Sequence, residues 1–243
     1  MGNPLQLARN LLALNRTILQ AIADHRRRSK YFDVLNDAER ADWLHVWCRT
    51  LLERFQIPCE VVGTPPQSGL IASNHLSYLD IIVFSAAVPA VFVSKSEVRN
   101  WPVFGALSKM AGTVFVDRRR KTDTWNANEG IRRLLQAGIP VVVYPEGTSS
   151  NGKEVLRFYP SLFEPAVESA VPITAAHIGY ELQDGDVGKD VAYWGDMTFF
   201  PHLLKLLSKR GLSASVKFSS HPHTFTERKA AATAIREEVL KLH

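Results

Sequence analysis

Cysteine is scarce in this sequence: Cys48 and Cys59 are the only two in 243 residues. Two thiols cannot staple a small secreted scaffold, and alone they cannot supply four ligands to a structural zinc. Long apolar runs are also missing. The first apolar stretch is bracketed by Arg9 and Arg16; it is too short to span a bilayer and lacks a small-residue cleavage site. The longest charge-free stretch, 61–79, holds Gly63, Pro65, Pro66, Gly69, Asn74 and His75, which bars a lipid-embedded helix. Gln6 stands where a myristoylation pattern needs Ser or Thr. The expectation is a cytosolic chain without a spanning anchor.

Other absences narrow the chemistry. No Gly-x-Ser-x-Gly elbow occurs, which argues against a serine hydrolase of that type. The stretch from Gly147 to Lys153 nearly spells a phosphate-binding loop. Glu154 follows it, however, where a magnesium-ligating hydroxyl is needed, and Pro160 cuts short the helix that should come next. His221-Pro222-His223 offers half a metal site without a carboxylate cluster. It reads as a surface turn, and no metal is expected. Basic runs at 26–30 and 118–121 come without a nucleic-acid fold signature, so nucleic acid is not expected as a partner.

What is present is ordinary globular material: 46% hydrophobic and 22% charged residues, which excludes wholesale disorder. The length fits one large domain or two small ones. Twenty-nine Lys and Arg against 24 Asp and Glu give a net charge of +5, a bias toward anionic partners.

Residues 5–30 have helical periodicity. Leu7, Leu11, Leu14, Ile18 and Ile22 recur at steps of three and four, with Leu12 and Leu19 widening the stripe. Arg26, Arg27, Arg28 and Lys30 end the segment. It reads either as a helix packed on the domain or as a basic amphipathic helix on a membrane surface. A second helix follows over 37–55, with Trp43, Leu44, Trp47, Leu51 and Phe55 on one side as core or as interfacial anchors.

From Pro58 the pattern changes. Strand-like runs at 59–62, 70–73, 90–94, 113–116, 140–144, 173–177, 191–194 and 215–218 alternate with helical patterns at 77–87, 101–110, 122–137, 200–209 and 226–242. Residues 65–69 read as a turn, not a linker. Alternation of this kind predicts an α/β layered domain with a mixed, substantially parallel sheet flanked by helices. An N-terminal helical pair (1–57) precedes that domain (58–243).

The segment from Leu70 to Asp80 ends a strand and starts a helix, where α/β proteins place their sites. His75 and Asp80 cannot share a face of one helix, because five positions turn the chain by roughly 500°. They meet only if His75 lies in the loop and Asp80 in the first helical turn, with Ser77 as N-cap. Ser77-x-x-Asp80 also fits a capping box, which would explain Asp80 without chemistry. His75 is left unexplained by that reading. A carboxylate on one ring nitrogen would fix the tautomer and leave the other nitrogen as a base for a hydroxyl.

Asn74-His-Leu-Ser-Tyr-Leu-Asp80 resembles the Asn-His-x-Ser-x-x-Asp block of the glycerophospholipid acyltransferases, the 1-acylglycerol-3-phosphate acyltransferase superfamily. Three further blocks follow in order: Gly112-Thr-Val-Phe-Val-Asp-Arg118, Val141-Val-Val-Tyr-Pro-Glu-Gly-Thr148, and Val171-Pro-Ile173. The stretch from Val93 to Gly105 resembles the lead-in to the second block. Together they cover about residues 58–220 and are specific, whereas the first block alone is weak. The resemblance implies that His75 is the general base and Asp80 its orienter, with Asn74 and Ser77 supporting. It implies that Arg118 binds the acceptor's anionic head group and that Glu146, Gly147 and Thr148 help hold the acceptor. Arg119, Arg120 and Lys121 then follow Arg118, the last two as a solvated helix start.

The implied reaction moves a fatty acyl group from a thioester, acyl-CoA or acyl carrier protein, to the hydroxyl of a lysolipid. No further cofactor is implied, and attachment is peripheral, on the cytoplasmic face of a membrane. The first acceptor expected is 1-acylglycerol-3-phosphate, giving phosphatidic acid. Two departures bear on that choice. Ser149 stands where the family often has arginine, and Phe158-Tyr-Pro-Ser161 lacks a lysine, so those cations are missing or moved to Lys153 and Arg157. Glu-Gly-Thr-Ser-Ser also resembles the subgroup acylating lyso-ornithine lipids. Other readings are a non-catalytic lipid-binding module and a thioester-independent transacylase.

Overall fold

The computed structural model describes residues 2–31, 34–117 and 121–243. Helix α1 runs Pro4–Tyr31 and α2 runs Asp37–Phe55. Asn36 starts α2 with a reciprocal cap: its side chain accepts from Glu39 N at 2.9 Å, and Glu39 accepts from Asn36 N at 2.8 Å. The inner face of α1 places Leu7, Leu11 and Leu14 against Leu51 and Phe55 of α2 and Leu207 far along the chain. Trp43 is core, 1% exposed, and its indole N–H donates to Ala21 O. Trp47 donates to Asp24 instead.

Leu12 and Leu19 do not widen the buried stripe. They are 73% and 69% exposed, and Leu5 is 82% exposed. A step of seven residues returns nearly to the same side of a helix, and that side lies roughly 130° from the Leu7–Leu14 face.

The α/β region supplies β1 (Cys59–Val62), β2 (Leu70–Ser73), α3 (Leu79–Ala87), β3 (Val91–Lys95), α4 (Phe104–Met110), β4 (Val114–Val116), α5 (Lys121–Gln136), β5 (Val141–Val143), α6 (Glu164–Glu168), β6 (Ile173–Leu182), α7 (Val187–Asp190), α8 (Phe199–Leu207), β7 (Leu212–Phe218) and α9 (Arg228–Leu242). Short 3₁₀ segments sit at Ser96–Asn100 and Pro160–Leu162. The sheet order is β1-β7-β6-β2-β5-β3-β4. Every neighbouring pair is parallel except β6 with β7. Alternate strand residues feed two cores. Leu70, Ala72, Val141 and Val143 face α5 and α9, while Ile71, Val142 and Ala176 face α3. Gly69 (φ 87) closes the turn before β2, where a Cβ would lie 2.4 Å from Pro172 O.

One expected strand is absent. Residues 191–194 pair with no strand: Val191 caps α7 in the right-handed helical region, Val191 N and Ala192 N donate to Val187 O, and Tyr193 N donates to Leu76 O, with Val191 and Ala192 buried. The β-like residue pattern there reports burial, not strand pairing.

Two features of the sheet fix the site. Strands β2 and β5 are adjacent and parallel, with Ala72 opposite Val143, so the loops after both emerge side by side. Strand β6 pairs with β2 only as far as Ser73–Ala176 and then runs on. The Asn74 side chain completes that ladder, accepting from Ile178 N at 2.9 Å and donating to Ile178 O at 3.0 Å. Asn74→Ala is expected to strand both buried backbone groups and cost about 2–4 kcal/mol. Urea unfolding reads this out; a loss below about 0.5 kcal/mol would remove the role given to that amide.

Candidate active site

His75 lies in the loop after β2, and Asp80 is the second residue of α3. The ring Nδ1 and Asp80 Oδ2 are 2.7 Å apart. The same Oδ2 accepts from Leu76 N at 2.7 Å and Ser77 N at 3.0 Å, and Oδ1 accepts from the Tyr180 hydroxyl at 2.7 Å. Asp80 is fully buried. One carboxylate thus ties down the helix start, as half of a capping box, and also hydrogen-bonds the imidazole. Ser77 is not the cap expected of it, because α3 begins at Leu79 and Ser77 Oγ is buried without a hydrogen-bond partner. Only the backbone N–H of Ser77 serves the carboxylate.

With Asp80 accepting at Nδ1, the neutral ring carries its proton there and its lone pair on Nε2. Tyr144, just past β5, stacks on the imidazole at 4.1 Å between centroids and 15° between planes. Ser150 N donates to His75 O at 2.9 Å, which locks the two loops together. The imidazole is thus held by a carboxylate, a ring face and its own backbone carbonyl.

His75 opens onto a cavity of about 880 Å³. Its walls come from α1 and α2 (Leu14, Leu51), α3 (Ile82), the segment from Trp101 to Phe104, and α8 (Phe199). An aromatic group joins Tyr78, Trp101, Tyr193 and Phe199 along one side. Gly147, Thr148 and Ser149 line it beside His75. Gly147 has φ 73, a conformation that suits glycine and lets the chain double back between Tyr144 O and the cavity.

Glu146 is placed differently from its neighbours. It is 2% exposed, does not line the cavity, and neither carboxylate oxygen completes a hydrogen bond. Burial pushes its carboxyl up to about 8; the nearby backbone amides of His75 and Leu156 and the Arg236 guanidinium offset only part of this. Arg236 of α9 is itself tied to Leu156 O and Val155 O. Arg118 lies outside the described residues. Lys153 and Arg157, the relocated cations expected from the sequence, do not line the cavity, whereas Lys95 does. Lys95 pairs with Val116 across β3 and β4, next to the segment leading to Arg118. Ser149 turns its hydroxyl to Tyr193 O. Among the described residues, no group of three His, Cys, Asp or Glu side chains could hold a metal ion. His223 instead meets Glu238 at 2.8 Å.

Sequence reasoning did not single out Tyr144 and Tyr180. Tyr144 lay inside a recognised block but was passed over as the end of a strand. Tyr180 could have been found only from the length by which β6 outruns β2.

Fold and site together define a mixed α/β protein with a His–Asp pair at the carboxyl end of a central strand, facing an apolar cavity. The chain belongs to the Acyltransferase family, whose pattern matches residues 59–179. It is 35% identical over 189 residues to the lyso-ornithine lipid O-acyltransferase of Rhizobium meliloti, covering 72% of this chain but 64% of that one, less than two thirds of its length. It is 33% identical over 174 residues to the 1-acyl-sn-glycerol-3-phosphate acyltransferase of Neisseria meningitidis serogroup B, covering 70% and 68%. The crystal structure of the 1-acyl-sn-glycerophosphate acyltransferase of Thermotoga maritima has the same fold, with TM-score 0.70 and 19% identity over 99% of this chain and 95% of that one.

The carboxyl of Glu146 generates a pH test. The folded protein holds its proton more tightly than the unfolded chain. Ionisation therefore works against folding as pH rises from 4.5 to about 8, and the penalty is constant above that. Glu146→Gln keeps the neutral shape and removes the penalty. The stability of the variant relative to the parent should rise across that window and level off, measured by chemical denaturation from pH 5 to 9. A difference independent of pH would contradict the assignment.

Proposed function

We propose that this protein is an O-acyltransferase that moves a fatty acyl group from a thioester, acyl-CoA or acyl carrier protein, to the hydroxyl of a lysolipid. The observation that carries this reading is the His75–Asp80 pair, tied at 2.7 Å and opening onto the apolar cavity. Nε2 of His75 takes the proton from the acceptor hydroxyl as its oxygen bonds to the thioester carbonyl carbon. Negative charge moves to the carbonyl oxygen. The tetrahedral intermediate then collapses, the C–S bond breaks, and the proton on His75 passes to the departing sulfur. Asp80 keeps the ring oriented and balances the imidazolium while it exists. Arg118 binds the acceptor's head group, and Gly147 and Thr148 hold the acceptor where they line the cavity. Glu146 supports that loop from behind.

Two acceptors compete within this reading. The first is 1-acylglycerol-3-phosphate. The second, lyso-ornithine lipid, is favoured by Ser149, which spends its hydroxyl on Tyr193 O where a cation would serve a phosphate. Purified protein given labelled acyl thioester and each acceptor separates them. His75→Ala should lower turnover by at least about a thousandfold; substantial turnover in that variant would sink the mechanism.

The helical pair (1–57) attaches the α/β domain (58–243) to the cytoplasmic face of a membrane. Leu5, Arg9, Leu12, Arg16, Leu19 and Arg26 fall on one exposed ridge of α1 at steps of three, four and seven. Leucine on such a ridge enters the headgroup boundary while arginine meets anionic lipid. No helix among the described residues is long and apolar enough to cross a membrane. Replacing Leu5, Leu12 and Leu19 by Gln together should lower co-sedimentation with anionic vesicles by about tenfold or more without lowering the melting temperature. Equal sedimentation would take this role from α1.

A further inference from the structure

We propose that Tyr180 is a positioning residue for the transfer reaction, holding the Asp80 carboxylate in the plane that keeps His75 aimed at the acceptor hydroxyl; this rests on the reading of His75 as the base. The two oxygens of Asp80 are loaded unequally. Oδ2 accepts from His75 Nδ1, Leu76 N and Ser77 N, whereas the Tyr180 hydroxyl is the one described donor to Oδ1. All three donors to Oδ2 sit on the loop that the carboxylate must orient. Tyr180 comes from outside that loop, on β6, one hundred residues away in the chain. It is the tie that references the carboxylate to the sheet.

The route by which the hydroxyl arrives is structural. Strand β6 passes the end of β2, Asn74 continues the ladder to Ile178, and Tyr180 follows two residues later on the same side of the strand. Tyr180 does not line the cavity, so it acts through Asp80 and not on substrate. Without the hydroxyl, Oδ1 is a buried acceptor left without its donor, which is costly. The carboxylate relieves that cost by rotating to share its remaining donors, and rotation turns Oδ2 away from Nδ1. Tyr144 and Glu146 also face Asp80 and feel its charge. Neither donates a hydrogen bond to it, because Tyr144 Oη and both Glu146 oxygens are without partners.

Tyr180→Phe keeps the ring and removes only the hydroxyl. We expect kcat to fall about tenfold, the scale of one hydrogen bond to a charged group, with KM for donor and acceptor within about twofold. The downfield proton resonance of the His75 Nδ1–H should shift or broaden. In an Asp80→Asn background, the same change should cost less than about twofold, because the group it acts through is already altered. A kcat loss of equal size in both backgrounds, or an unchanged kcat and resonance in Tyr180→Phe, would overturn the proposal. Should that variant fail to fold, 3-fluorotyrosine at 180 retains ring and hydroxyl but makes a stronger donor. It shifts the His75 resonance if the coupling exists and leaves it in place if not. The resonance is read without turnover, so an error in the assigned reaction is separable from an error about Tyr180.

Discussion

The structure around His75 depends on one fully buried carboxylate. A charge that far from water must be met by donors or it destabilises the fold. Asp80 is met by four: two backbone amides, an imidazole and a phenol. Each donor comes from a segment that the sheet has already placed. The loop after β2 supplies three, and β6 supplies the fourth because it outruns its neighbour. The requirement to satisfy this single anion therefore shapes the loop, the start of α3 and the orientation of the imidazole. In the proposed reaction, chemistry and folding are served by the same atoms, so changes at Asp80 affect both, while His75 can be altered without unpairing the helix start.

A second layer of constraint lies in the loop after β5. Tyr144 covers one face of the imidazole, and Ser150 N holds the His75 carbonyl. Glu146 sits between these contacts, buried, with its proton favoured by its surroundings. Arg236 clamps the following residues from α9. The loop is thereby pinned at both ends and on its inner side, leaving Gly147 to Ser149 to face the cavity. The loop's geometry is thus set before anything enters the cavity.

Much of this was legible in the sequence, and the limits have identifiable causes. The His–Asp pairing was readable because spacing excludes a shared helix and demands a loop followed by a first turn. The parallel core was readable from apolar runs between helical patterns. Residues 191–194 misled because a buried helix end and the loop after it can share a strand's composition. Leu12 and Leu19 misled because a helix with apolar residues on two sides gives no hint of which side is covered. Ser77 was assigned a cap on residue type, yet its main chain does the work. Tyr180 was invisible because its role depends on how far one strand overshoots another, a three-dimensional quantity without a local sequence mark. Near Ser149 the sequence leaves the missing cations absent or moved to Lys153 and Arg157; neither lines the cavity, while Lys95 reaches it from β3, a strand distant in the chain.

The cavity wall carries a consequence for biosynthesis. Asn10 of α1 donates to Leu207 O across 197 residues, and Leu7, Leu11 and Leu14 share a cluster with Leu207. During synthesis from the N-terminus, α1 and α2 emerge long before α8 exists. In that interval α1 has apolar residues uncovered on two sides, roughly 130° apart. The inner side has α2 alone to pack on, and contacts separated this widely in sequence form late. The half-made chain is thus stickier than the finished protein, because α1 exists before the helix that covers its inner side.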